Sequence, residues 1–528
     1  MSHQVPNGLS NKLPPVLPDE LWGCIGEFLF KADLAKCYSI SPILFDLWMK
    51  AAFTEVKICR VKHVETLRVL CTMTPLAARY VSKLTLCPQF FLLGETTSSF
   101  DRFITQSQVK SLSEKLRGPR STERILKTVA VQVLLSKITQ MTNLKTVVVE
   151  CKSPDDTKLF GNIALFLDAV KIHANQLENI EINVHMKCLE ETLAAIPYCA
   201  TLRSLSINFE GRVAALRGED LWRQTARVIN LHSATLRRVS ILAAEVLCGT
   251  IPIFSSLERL PNLAEANFFL LADYFTPQLK ESALLQAFLK AHSTQLQALE
   301  LHSDKPSFHT EFTLPPVFHH PLFNINFPRL KRLGLILNEQ NDNPAEFSSQ
   351  PPIAILLSKY LLQYRGKLQH LAIVHRRLNF SEVQAVSSAL GGNGSALVSL
   401  SVATQSLDAN LLAVLARSFR NLERLGLGSP YLCSTVPTPE VLLPEKCQMF
   451  VDSISSCDPA LGRWRLRHLQ VRIYEHRYWS EIQDALLAAL PNLDTLNFWP
   501  VPHRVGTNGP GAIVVSAGAA AAFTPVIS

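Results

Sequence analysis

The chain has 528 residues, of which 47% are hydrophobic and 18% charged, a balance that demands a large buried core and excludes a mostly disordered chain. Its 52 basic and 44 acidic side chains leave a formal charge of +8, which is mild for this length. Nucleic acid is therefore not expected as a partner, because its binders concentrate basic charge on one face or tail.

Residues 1–12 are polar and are expected to be disordered. The first 25 residues contain no basic segment followed by an apolar core, and no apolar run in the chain approaches the roughly 20 residues that span a bilayer. The 12 cysteines form no CxxC pair and no Cys/His set at zinc-ligand spacing, so they read as reduced core residues. The expected setting is cytoplasmic or nuclear, with no membrane partner and no metal.

Residues 13–58 read as three short helices. Pro18 suits a helix start, and Asp19 and Glu20 place negative charge at the positive end of the helix dipole. Leu21, Trp22, Ile25, Phe28 and Leu29 then fall on one helical face. Asp33 is the expected cap of a second helix beginning at Leu34, and Ser41-Pro42 signals the start of a third. So short a unit has little core of its own and needs a neighbour to cover its apolar faces.

The pattern Leu17-Pro18-x-Glu20-Leu21, Ile25, Phe28-Leu29, Asp33-Leu34 and Trp48 resembles an F-box. It departs from the usual form at Lys36-Cys37 and Ser41-Pro42. The resemblance covers about a tenth of the chain and implies docking to a Skp-type adaptor, and through it to cullin and RING subunits of an SCF ubiquitin ligase. It also implies that Leu17, Pro18, Leu21, Ile25, Phe28, Leu29 and Leu34 carry the adaptor contacts. The plainer alternative is a helical cap on the end of a repeat domain.

Residues 59–500 repeat a short phrase, Leu-x-x-Leu-x-Leu with Val, Ile or Phe as substitutes. Copies begin at Val81, Leu144, Leu177, Leu202, Leu236, Leu263, Leu296, Leu330, Leu368, Leu397, Leu422, Leu466 and Leu493. The last two apolar positions share one face of a strand, and the first packs beneath the turn leading into it. Helical stretches fall between copies, for example 354–362, 382–390, 410–419, 446–454 and 482–490. Several close on phrases such as Leu260-Pro261-Asn262-Leu263, Phe419-Arg420-Asn421-Leu422 and Leu490-Pro491-Asn492-Leu493. No unit has a sufficient core alone, so stacking is required. This alternation is similar to the leucine-rich repeat family. The expected fold class is α/β: an N-terminal three-helix F-box followed by an irregular leucine-rich repeat solenoid of short parallel strands alternating with helices. Loop insertions are expected near 88–123, 304–326, 338–352 and 428–444, with a disordered low-complexity tail at 501–528.

The chemistry of an enzyme is not visible. There is no phosphate-loop motif, no H-E-x-x-H and no G-x-S-x-G, and the histidines His309, His319 and His320 lack suitably spaced acidic or cysteine companions. The expectation is a non-catalytic chain without cofactors. If the strand register is right, Ser206, Asn208, Glu300, His302, Gln470, Arg472, Asn497 and Trp499 face outward, and Glu300, His302, Gln470, Arg472, Asn497 and Trp499 are the candidate target contacts. Around Arg472, the run from Arg463 to Trp479 reads either as a grip for a phosphate or acidic peptide or as arginines covering apolar surface. Two functions fit these features: a substrate receptor that binds a target protein for ubiquitination, or a leucine-rich repeat scaffold with no ligase link.

Overall fold

The structure is a computed structural model that describes residues 17–58, 73–87, 134–151, 160–210, 218–244, 253–270, 280–303, 320–337, 353–392, 394–429, 431–432, 443–456, 459–473, 479–497 and 499–500. The expectations for 1–12, 88–123, 338–352 and 501–528, and for His309 and His319, lie outside these residues.

Three helices open the described chain: α1 (Asp19–Phe28), α2 (Lys31–Cys37) and α3 (Pro42–Phe53). Pro18 is the residue that precedes α1, and the Ser41 hydroxyl accepts the Ile43 N–H at 3.2 Å to cap α3. Asp33 does not cap α2. That helix starts three residues earlier than expected, at Lys31 after Phe30, and Asp33 lies in its first turn.

The strands, in chain order, are β1 (Glu55–Ile58), β2 (Lys83–Leu86), β3 (Thr146–Cys151), β4 (Asn179–His185), β5 (Ser204–Glu210), β6 (Arg238–Ala244), β7 (Glu265–Leu270), β8 (Ala298–Ser303), β9 (Arg332–Leu337), β10 (His370–Leu378), β11 (Ser399–Thr404), β12 (Ser406–Leu407), β13 (Arg424–Ser429), β14 (Tyr431–Leu432), β15 (His468–Ile473), β16 (Thr495–Leu496) and β17 (Trp499–Pro500). Every repeat phrase contributes one of them. Apart from β12 and β14, which pair with each other, they form one open sheet in sequence order. Every pairing is parallel until β17 turns back against β16. Parallel strands need a crossover between them. The helices supply it, for example at Met186–Ala194, Phe380–Leu390 and Ala409–Ser418. The fold is α/β, an unclosed solenoid of leucine-rich repeat type.

The register explains the repeat. In β4, Ile180, Ile182 and Val184 are buried while Asn179, Glu181 and Asn183 alternate outward. The first leucine of each phrase, such as Leu177, Leu202, Leu236 and Leu296, is wholly buried beneath its strand. These residues run into one continuous core along the solenoid, as expected of units that are stable only when stacked.

Polar side chains stitch neighbouring repeats together. The asparagine before the first leucine donates to a carbonyl of the preceding repeat: Asn143 to Arg79 at 2.6 Å, Asn262 to Ala234 at 2.7 Å and Asn492 to Trp464 at 2.8 Å. Four residues before that leucine, two buried histidines do the converse. Nε2 of His232 accepts the Cys199 N–H, and Nε2 of His292 accepts the Leu260 N–H, both at 3.0 Å. Trp464 Nε1 donates to the Phe419 carbonyl at 2.8 Å. The histidine and tryptophan bonds satisfy backbone groups that would otherwise be buried without a partner.

Four boundaries differ from the sequence reading. The sheet begins at Glu55, inside the 13–58 module, because Val56 and Ile58 pair with Leu84 and Leu86. The end of the 304–326 stretch is not loop: Pro321–Asn324 is a 3-10 helix with Leu322 and Phe323 buried, and His320 caps it through Nδ1. Within 428–444, strands β13 and β14 and the start of the helix Leu443–Ser455 occupy the described positions. The last phrase, 493–498, is a strand only to Leu496. Among the described residues, no helix is long and apolar enough to cross a membrane.

Candidate interaction surfaces

On the N-terminal helices, α1 meets α3 through Gly26, the one buried residue of α1. A Cβ there would collide with the Leu47 side chain and sit 3.2 Å from Leu44 Cδ2, so the close approach depends on glycine. This leaves the opposite face bare. Leu17, Leu21 and Ile25 are 39%, 48% and 40% exposed, and Phe28 and Phe30 are 86% and 80% exposed. Leu21, Ile25 and Phe28 stand four and three residues apart, on one side of α1. Pro18 is also exposed and Leu29 is half-buried. Leu34 behaves differently: at 5% exposure it is core of the helical unit and presents no surface.

The third helix is tied to the solenoid. Met49 belongs to the continuous core. Asp46 accepts Tyr80 Oη at 2.7 Å and pairs with Lys50 at 2.7 Å. The Lys50 hydrogen bond, aided by that of Tyr80, holds the Asp46 carboxyl below its ordinary value against the upward pull of burial, while Asp46 raises the Tyr80 phenol. Tyr38, Phe45, Trp48 and Phe53 form an aromatic cluster on the same helices, with Tyr38 stacked on Trp48 at 4.7 Å.

The second surface is the outward face of the parallel sheet. Its register aligns side chains in rows. One row runs Glu55, Lys83, Thr146, Asn179, Ser204, Arg238, Glu265, Ala298, Arg332, His370, Ser399, Arg424, His468 and Thr495. Two residues further along each strand, a second row includes Ser206, Ser240, Asn267, Glu300, Gly334, Ala372, Ser401, Gly426 and Gln470. Asn208, His302 and Arg472 stand in a third. The register thus brings Ser206, Asn208, Glu300, His302, Gln470 and Arg472 to one face.

Glu300 lies across β9, its Cγ only 2.6 Å from where a Cβ on Gly334 would be. His302 Nε2 is 3.2 Å from Glu300 Oε1. Burial pushes the Glu300 carboxyl up, yet His302 together with Arg238 and Arg332 outweighs it and holds the group below its ordinary value. Glu265 is clamped between Arg332 at 2.5 Å and Arg238 at 3.7 Å. Farther along, with the Gln470 amide oxygen turned to the guanidinium, Arg472 donates to it at 3.1 and 3.3 Å.

The remaining two candidates do not extend this face. Asn497 adopts φ +49° and its Oδ1 accepts the Val471 N–H at 2.6 Å, so it closes the sheet instead of facing a partner. Trp499 belongs to the reversed strand β17, opposite Leu496, and so departs from the parallel register on which its assignment rested. Conversely, Arg238, Arg332, His370 and Arg424 were missed. They directly precede the second apolar position of their phrases, and each strand begins at that residue. Counting back two from the outward residue between the paired leucines would have found them.

No protein-family model matches the chain, and no curated protein does. Among solved structures, the Rad7 and Elc1 complex of yeast is similar over 71% of this chain and 95% of that chain, at 14% identity and a TM-score of 0.33. A likeness of that degree supports no statement about partners.

Proposed function

We propose that this chain is the substrate-recognition subunit of an SCF-type ubiquitin ligase. On this reading α1 and its flanks dock onto a Skp-type adaptor, which links the chain to cullin and RING subunits, and the solenoid face holds a target protein. The observation that carries the reading is the bare apolar side of α1. Leu17, Leu21, Ile25, Phe28 and Phe30 are all exposed, and a contiguous apolar patch beside a folded core marks an interaction site. Covering Phe28, which is almost fully exposed, would contribute about 1.5–3 kcal/mol, and covering Leu21 and Ile25, already more than half covered, roughly half of that each. These are also the positions at which the F-box resemblance puts adaptor contacts. The chain itself supplies proximity, and the chemistry belongs to its partners.

The test is co-purification of the full chain with a Skp-type adaptor, comparing wild type with a Leu21→Asp/Phe28→Asp variant. Capture by wild type and a loss of about ten-fold or more in the variant, at unchanged melting temperature, supports the reading. A folded wild-type chain that captures no adaptor sinks it.

A second reading is a ligase-independent repeat scaffold whose N-terminal helices only seal the solenoid. It is favoured by Met49 in the continuous core and by the backbone ladder from Thr54 to Ser82 and Lys83. Sealing explains α3, which touches the repeats. It leaves the apolar side of α1 unexplained.

A further inference from the structure

We propose that the C-terminal half of the outward sheet face, from β9 to β15, binds an acidic segment of a partner polypeptide in extended form. Resting on the reading of the solenoid as a protein-binding surface, this names the chemistry of what it holds.

The face is electrostatically divided. From β1 to β8 most of its carboxylates meet bases: Glu55 with Lys83 at 2.7 Å, Glu150 with Lys57 at 2.9 Å, Glu265 with Arg238 and Arg332, and Glu300 with His302, while Glu181 accepts the Asn183 amide. From β9 to β15 the aligned rows read Arg332, His370, Ser399, Arg424 and His468, then Gly334, Ala372, Ser401, Gly426 and Gln470, with Gly428 and Arg472 beyond. These outward positions contain no Asp or Glu. The Arg424 side chain is exposed and makes no ion pair among the described residues. His370 reports the resulting potential. Burial lowers its pKa first, and the charges of Arg332 and Arg424 lower it further.

The shape fits a backbone. Ala372, Ser401, Gly426 and Gly428 make a floor of small residues between Glu300, which covers Gly334, on one side and Gln470 and Arg472 on the other. Arg332 and Arg424 are three strands apart, roughly 14 Å at about 4.8 Å per strand. An extended peptide laid across the strands advances about 13 Å in four residues, so a carboxylate on Arg424 places a second, at i+4, where it shares Arg332 with Glu265. Guanidinium binds carboxylate through paired hydrogen bonds. Nucleic acid fits less well: no Phe, Tyr or Trp stands at these outward positions to stack a base.

The experiment titrates the full chain with a fluorescein-labelled peptide of alternating Glu and Gly, against the same peptide with Gln for Glu, read by anisotropy at low salt. The Glu peptide is expected to bind about ten-fold tighter or more, and Arg424→Glu to remove most of that advantage. Gly428→Val is a second, steric probe. A Cβ there meets nothing closer than Ala403 at 3.9 Å, so the variant keeps the fold while filling the floor, and it too is expected to weaken binding. Lys83→Glu, on the matched half, is expected to leave binding unchanged.

Equal binding of the Glu and Gln peptides overturns the proposal. So does unaltered binding by both Arg424→Glu and Gly428→Val at wild-type melting temperature. Tighter, Arg424-dependent binding of a single-stranded oligothymidylate overturns it in favour of nucleic acid. Adaptor capture, measured on the same variants, reports separately on the N-terminal helices. Its failure with intact peptide binding removes the ligase link and leaves this surface standing.

Discussion

Nε2 of His232 accepts the backbone N–H of Cys199 at 3.0 Å, across 33 residues of chain. The same ring gives its Nδ1 proton to the Val228 carbonyl at 2.9 Å. His292 repeats the arrangement with Leu260 and Phe288, at 3.0 and 2.7 Å. Both rings must therefore be neutral, with the proton on Nδ1, because a protonated imidazole has no acceptor left.

A pH dependence results, with a definite sign. Burial is the largest influence on each ring and lowers its pKa below the ordinary 6.5, against the raising effect of the backbone hydrogen bonds. The unfolded chain thus binds more protons than the folded one below that value, and stability falls as pH falls. It is fully present above 6.5 and is lost as pH drops through the lower folded-state values. Urea unfolding of wild type should show this decline, and a His232→Gln/His292→Gln variant should show a shallower one. Identical slopes would mean that other groups set the acid limit.

Removing the acceptor outright should cost more than removing an exposed side chain. His232→Ala leaves the Cys199 N–H buried and unpaired, a loss of about 1–3 kcal/mol. Arg223, exposed on the helix Gly218–Leu231, lies 3.4 Å from its neighbour Asp220, and Arg223→Ala should fall within roughly 0.5 kcal/mol of wild type. Denaturant midpoints of the two variants check the contrast.

The asparagine stitches predict a second series. Asn262→Ala and Asn492→Ala each remove a donor to the preceding repeat and should each cost about 1 kcal/mol. The two sites share no partner, so the double variant should be additive within about 0.5 kcal/mol. Strong non-additivity would show that the solenoid unfolds with longer-range coupling than its neighbour contacts imply.

At the N-terminus, Gly26→Val and Phe28→Asp should separate fold from surface. Valine at Gly26 meets Leu47 and Leu44 and should destabilise the α1–α3 contact by about 1–3 kcal/mol. Hydrogen exchange should then quicken in α1 while the repeats keep their protection. Aspartate at Phe28, already 86% exposed, should leave exchange unchanged. If both variants behave alike, the bare side of α1 is part of the fold and not a docking face.

The strand phrases and the repeat order were legible because each rests on local spacing: two apolar residues on one face of a strand, and a leucine three residues earlier under the turn. The Pro-Asn-Leu phrases were equally visible, although only the folded chain shows which carbonyl each asparagine reaches. Strand β1 was not legible. Glu55-Val56-Lys57-Ile58 lacks the leading leucine, and it becomes a strand by pairing with β2.

What the sequence by itself determined is the periodic part of the molecule: an α/β solenoid, its buried positions, and the apolar pattern of the first helix. Tertiary structure decided which members of each pattern are used. Leu34 and Phe28 both belong to the apolar pattern of the first helices, yet one is core and the other bare. That difference comes from where α3 packs: it lies against α2 and against the Gly26 side of α1, and leaves the other side of α1 uncovered. Asn497 and Trp499 left the expected face because a left-handed turn reverses the last strand. Arg332 and Arg424 lie far apart in the chain, and only the parallel register from β9 to β13 puts them in one row. Periodicity fixes which side of a strand a residue takes, whereas charge and shape on that side are sums over strands that the sequence does not place next to one another.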